Sequence, residues 1–364
     1  MTSTPGYKPL IDCFYSLLTS ALRKRQPVSA DFENLTASDW NEIYIQSRRQ
    51  TVTALTFSGL CHLPDALLPP EKLLMQWLAE SEVIRRRSLS MDKAVKSLTE
   101  ELSGTGIRAI LLKGQAIAAL YPEPETRQCG DIDLFVPNAA DIVKITETAG
   151  TADSVRHADG STSFTRNGVP VEIHPRLLDI HSHKSLRRLS AFPSLNTFSE
   201  SRLAGGFSVT IPSPEATLLM LSAHIFKHAA GRGIGLRQLC DMAVASRHYA
   251  PMILSGEMDA IFRAAGLARW NRMLYSFLSL RLGLEAEYVP LSGDFTPSAK
   301  LASRLEKIIL DGGNFGRHAS GIASRRGPVA TALSFLRRAR FAFAIAPRET
   351  SALILTLIKG RLSK

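Results

Sequence analysis

Apolar residues recur at helical spacing through the first hundred positions. Leu10, Phe14, Leu17, Leu18, Ala21 and Leu22 fall on one helical face, and Arg23, Lys24 and Arg25 follow at its C-terminal end, where the helix dipole favours cations. Asp39, just before Trp40, reads as an N-cap. After Pro69-Pro70 a helical pattern runs from Glu71 to about Ser103 with no interrupting proline or glycine, and Gly104 and Gly106 are natural stops.

The pattern then shortens. Ile107 to Leu112 is a brief apolar run bounded by glycines, which predicts a buried strand. Lys113-Gly114-Gln115 turns the chain into a short helix, Ala116 to Leu120, ended by Tyr121-Pro122. Asp131 to Val136 alternates acidic and apolar residues and predicts a strand with one polar face. An amphipathic helix is expected from Asn138 to Ala149. Ser161–Arg166 and Val169–His174 flank Asn167-Gly168, a strong hairpin signal, and Phe207–Ile211 predicts one more strand. From Pro212-Ser213-Pro214 onward the pattern is helical almost to the end. Gly312-Gly313-Asn314-Phe315-Gly316 reads as a turn between helices.

The expected architecture is therefore α+β: a mixed-sheet core at 105–212 between an N-terminal helical region at 1–104 and a C-terminal helical domain at 213–364.

Composition narrows the class. A 45% hydrophobic and 21% charged chain is neither disordered nor membrane-embedded. The longest aliphatic runs, such as Ala352–Leu355, fall far short of the ~20 residues that span a bilayer. No basic stretch followed by a long apolar run opens the chain. Cys13, Cys61, Cys129 and Cys240 are scattered without C-x-x-C spacing, which argues against a zinc site and suits a reducing cytoplasm. The formal net charge of +11 favours polyanionic partners such as nucleotides, nucleic acid or an anionic membrane surface. Much of the excess falls between Arg317 and Lys364, where a solvated basic face is an equally good reading.

The chemistry concentrates around Asp131 and Asp133. Residues i and i+2 of a strand share a face, so these carboxylates stand side by side and gain little unless a cation lies between them. Hard oxygen ligands suit Mg²⁺ or Mn²⁺. Glu172 and His174 share a face on the second hairpin strand. If that strand pairs beside the Asp131 strand, three carboxylates converge into a two-metal arrangement for nucleotidyl transfer. His174 either orients a carboxylate or is a buried, hydrogen-bonded histidine. Lys113, Gly114 and Gln115, at the turn from strand to helix, together with Arg127, are placed to hold phosphates. His224 and His228 lie one helical turn apart without an H-E-x-x-H pattern. They read either as packed between helices, bonding Arg237 or Asp241, or as part of the cleft.

Leu111-Leu112-Lys113-Gly114, Leu120-Tyr121-Pro122, Arg127 and Gly130-Asp131-Ile132-Asp133-Leu134 resemble the uncharacterised nucleotidyltransferase family of the DNA polymerase β-like superfamily. Val171-Glu172-Ile173-His174, with Arg176 after it, is similar to that family's third acidic motif. His224, His228, Leu236, Arg237 and Asp241 resemble its helical segment. Gly114-Gln115 stands where the superfamily usually has Gly-Ser or Gly-Gly. The resemblance implies the superfamily fold, a divalent metal and an NTP donor, ATP foremost, and leaves the acceptor open among small molecules, proteins and RNA. Two rival expectations stand beside the enzyme: a non-catalytic nucleotide- or RNA-binding relative, and an antitoxin-like regulator acting on a partner protein.

Overall fold

The computed structural model describes residues 7–148, 154–157, 160–231, 233–254, 256–312 and 338–362. Four helices come first: α1 (Tyr7–Arg23), α2 (Ala37–Arg49), α3 (Thr53–Leu60) and α4 (Glu71–Gly104). Asp39 does not cap α2. The helix begins earlier because Thr36, in an extended conformation, accepts the Asp39 amide, while the Asp39 carboxylate accepts the Thr36 amide at 2.9 Å. This reciprocal pair satisfies two otherwise orphaned donors. Helix α3 crosses α1 at Gly59, where a Cβ would lie 2.0 Å from the Leu17 carbonyl oxygen.

The core holds a five-stranded mixed sheet in the order β1-β2-β5-β4-β3. Its strands are β1 (Ile110–Leu111), β2 (Ile132–Phe135), β3 (Val155–Arg156), β4 (Thr162–Arg166) and β5 (Val169–His174). The expected strand from Ile107 shrinks to two paired residues, since β1 is an edge that meets only Leu134 and Phe135 before the chain turns at Lys113-Gly114. Asp131 precedes β2 rather than opening it. Helix α5 (Gln115–Ala118) follows β1, and α6 (Ala139–Thr148) carries the chain from β2 towards β3. The β4–β5 turn has positive φ at both Asn167 (50°) and Gly168 (77°), the twist a two-residue hairpin needs. The strand expected near Phe207–Ile211 is β7 (Ser208–Pro212). It pairs with β6 (Phe198–Arg202) in a separate two-stranded sheet next to β1.

After the short α7 (His183–Leu189), helices α8 (Pro214–Ala230), α9 (Leu236–Tyr249), α10 (Glu257–Ala265), α11 (Ala268–Arg281), α12 (Ala299–Gly312) and α13 (Pro347–Leu362) complete the described chain. A helical stretch at 338–345 precedes α13. Ser213 caps α8 by accepting the Ala216 amide, with Pro214 in the first turn, so the two residues that mark the boundary in sequence also start the helix. The expected turn after Gly312, and the basic positions Arg317, Arg325, Arg326, Arg337 and Lys364, lie outside the described residues.

Two hydrophobic cores result. One packs α1–α3 and Trp77 of α4 against α8–α12. The other packs Met91, Val95, Leu98 and Leu102 of α4 against Ile132, Leu134, Val171 and Ile173 of the sheet. Helix α4, 34 residues and so about 50 Å long, belongs to both. No described helix is long and apolar enough to cross a membrane.

Candidate active site

Strand alternation divides the sheet by chemistry. Ile132, Leu134, Val171 and Ile173 point into the second core, which leaves Asp133, Glu172 and His174 on the opposite face. The parallel pairing of β2 with β5 sets Asp133 opposite Glu172, and Phe135 opposite His174. The register that brings the D-x-D segment to the acidic hairpin strand is thus built from backbone hydrogen bonds.

Ligand atoms of Asp133, Glu172 and His174 lie within 4.8 Å of one another, the one such group among the described residues. Asp133 is buried, and its Oδ1 accepts from Lys113 Nζ at 3.1 Å and from His174 Nε2 at 2.8 Å. Glu172 Oε2 is 4.0 Å from the same imidazole nitrogen. Burial alone would push the Asp133 carboxyl up, but Lys113 and His174 outweigh it and hold the group well below the usual carboxylate range. Asp131, exposed at the entry to β2, behaves in the opposite way. Crowding by the surrounding protein and then by Asp133 pushes its carboxyl up, against the pull of Lys113 and Arg237.

Gly114 shapes the approach. Its φ of 61° and ψ of −115° favour glycine, and a Cβ there would be in ordinary contact with the Asp131 carbonyl at 3.4 Å. Gln115, next to it, is turned away. Its amide donates to Asp92 Oδ1 at 2.6 Å and to the Ser88 carbonyl at 3.2 Å, both on α4.

Opposite the polar face of the sheet, α8 contributes Met220, His224, Lys227 and His228 to a cavity of about 230 Å³ that Lys113, Glu172 and His174 also line. The two imidazoles stand edge to face at 4.4 Å. Burial, followed by the neighbouring cations, keeps both neutral: His224 falls well below its ordinary range, and His228 falls to about 3. Sequence spacing did not reveal Asp179, which takes Lys227 Nζ at 2.7 Å and His181 Nε2 at 3.1 Å on the cavity wall. No local pattern marks it, because Lys227 is 48 residues away. Glu349 of α13 accepts the amides of His181 and Ser182 and so holds the same loop.

Arg127 is engaged elsewhere. Its Nε and Nη2 reach Asp241 Oδ1 and Oδ2 at 2.7 and 2.9 Å, Tyr121 donates to the same carboxylate, and Arg127 Nη1 is buried without a hydrogen-bond partner. Arg237 donates to the Gln128 carbonyl at 2.8 Å and lies beside Gly130.

A mixed sheet with Asp131 just before one strand, Asp133 on it and Glu-x-His on its parallel neighbour, flanked by helices, is consistent with a nucleotidyltransferase core. The family model for uncharacterised nucleotidyltransferases matches residues 36–283, more than half of the chain, and the protein belongs to that family. Comparison with curated proteins returned no match, and neither did comparison with solved structures.

Proposed function

We propose that this protein transfers a nucleoside monophosphate from an NTP, ATP foremost, to an acceptor hydroxyl with release of pyrophosphate, at a site holding Mg²⁺ or Mn²⁺. The observation that carries this reading is the pairing of Asp133 with Glu172 across β2 and β5, with His174 joining them beside a cavity.

The donor set fits a divalent ion. Two carboxylates and an imidazole are grouped within 4.8 Å, and Asp131 stands one strand step away. Oxygen-rich sets favour Mg²⁺ or Mn²⁺, and the imidazole makes Mn²⁺ the easier guest. When bound, such an ion supplies charge stabilisation at the phosphoryl group. Asp133, Glu172 and His174 would hold it, with Asp131 completing the carboxylate pair.

The remaining tasks fall to other side chains. Lys113, Arg176 and Lys227 line the cavity and offer positive charge to phosphate oxygens. Gly114 lets backbone approach the anion. Half-buried Glu172 would take the proton of the attacking hydroxyl. A cavity of about 230 Å³ is smaller than the roughly 300 Å³ at which sites for whole small ligands begin, so it suits the phosphate end and leaves the nucleoside outside. The four free cysteines, three of them buried, fit a reducing cytoplasm.

The test is pyrophosphate release from each of the four NTPs, with Mg²⁺, Mn²⁺ or chelator, together with transfer of α-labelled nucleotide to protein, RNA or small-molecule fractions. Release should require the metal and vanish in Asp133→Asn and Glu172→Gln. Unchanged release in both variants would overturn the reading.

A further inference from the structure

Lys113 is the residue whose position the transfer chemistry does not by itself explain. Lys113 borders the cavity, yet its ammonium is engaged by a carboxylate rather than left free for phosphate. Here Nζ sits 3.1 Å from Asp133 Oδ1, the oxygen that also accepts His174 Nε2 at 2.8 Å. Asp133 is 5% exposed, so water does not screen that contact effectively. The geometry points to Lys113 as a resident counter-cation that closes the Asp133–Glu172–His174 locus to divalent metal until its ammonium moves into the adjoining cavity. This rests on the metal reading of the site given above.

Three features support the assignment. First, the cluster carries excess negative charge: Asp131, Asp133 and Glu172 are together, and repulsion between carboxylates demands a cation whether or not a metal is present. Lys113 answers that demand with one charge. Second, the ammonium occupies Asp133 Oδ1, and a doubly charged ion drawn to the same carboxylate would meet a like charge in a partly buried site, where repulsion is weakly screened. Metal entry and the present Lys113 position therefore compete for the Asp133 carboxylate. Third, the lysine has somewhere to go. Its four-carbon stem is flexible, and it lines the cavity shared with His224 and His228, whose neutral rings oppose no incoming ammonium with charge of their own. A phosphate-bearing ligand in that cavity would attract the displaced ammonium. Metal and phosphate ligand then reinforce each other's binding through one side chain.

The experiment is a Mn²⁺ titration of the full chain without nucleotide, followed by electron paramagnetic resonance of the free ion. Wild type, Lys113→Gln, Lys113→Met and Glu172→Gln are compared. Removing the ammonium should tighten Mn²⁺ binding by about tenfold or more, whereas Glu172→Gln should weaken it. A lysine with a merely structural role would give the reverse, since its loss would loosen the site.

A second measurement needs no variant. Lysine acetylation by acetic anhydride, quantified by peptide mass spectrometry, should rise about threefold or more at Lys113 when Mg²⁺ is added, with exposed Lys96 as the unchanged control. Equal Mn²⁺ affinity in wild type and both Lys113 variants, or Lys113 labelling indifferent to Mg²⁺ under conditions where Mn²⁺ binds, overturns the Lys113 role alone. Absence of Mn²⁺ binding in wild type and all variants overturns the metal reading and the Lys113 role with it.

Discussion

Arg127 and Asp241 form a two-pronged ion pair that fastens the segment leading into β2 onto α9, 114 residues further along the chain. Both side chains are almost fully buried, and Tyr121 supplies a further hydrogen bond to the carboxylate. Deleting one member leaves a charge in a dry place. Asp241→Ala should therefore cost about 3–5 kcal/mol in urea unfolding. Arg127→Met with Asp241→Leu should recover most of that loss, since an apolar replacement of both partners removes the stranded charge. A loss below about 1 kcal/mol in the single variant would show that the pair does not join these elements in solution.

The α1–α3 crossing is set by backbone contact at Gly59. Even one methyl group there would overlap the Leu17 carbonyl, and neither helix has a flexible side chain to yield at that point. Gly59→Ala should destabilise the protein by about 1–3 kcal/mol or more through forced separation of the helices. A melting temperature equal to wild type would refute the close approach.

Burial first, and repulsion from Asp133 second, push the Asp131 carboxyl up. Relieving that repulsion should raise the melting temperature of the metal-free protein in Asp131→Asn. The same substitution should lower nucleotidyl transfer roughly 10- to 100-fold. If stability and activity fall together, Asp131 has a structural role instead.

The cavity histidines set an acid limit on stability. An unfolded histidine takes a proton near pH 6.5, whereas folded His228 stays neutral to about 3 and His224 also lies well below the ordinary value. Between those limits the unfolded chain binds protons that the folded chain refuses, so stability drains away as pH falls from 6.5 towards 3. The urea midpoint of the His224→Gln, His228→Gln double variant should fall less than that of wild type from pH 7 to pH 5. Parallel curves would rule this out.

Short-range signals in the sequence identified the elements that hold the carboxylates. Asn167-Gly168 between two alternating runs could form little but a hairpin, and Asp131-Ile132-Asp133-Leu134 announced a strand with one acidic face. Partnership across the chain was harder to read. Strand β6 has no buried residue, so Phe198–Arg202 lacks the alternation that a half-buried strand displays. Asp39 looked like a cap because it directly precedes an aromatic residue, yet Thr36 three residues earlier starts the helix. The Lys113–Asp133 contact joins residues named in sequence for different tasks, one for phosphate and one for metal. Which of two attractive partners a lysine chooses depends on the β1–β2 pairing, and that pairing has no local signature.

Helix α4 has a consequence for how the molecule comes apart. Trp77 anchors one stretch of it among the helices, and Met91 to Leu102 anchor the other beneath the sheet. A rod shared by two cores cannot lose its grip on one without exposing apolar surface that the other helped to cover. The two halves should therefore melt as a single calorimetric event, and slow amide exchange should extend along α4 across the seam between them. Two resolved heat-absorption peaks would mean that the shared rod does not enforce this joint unfolding.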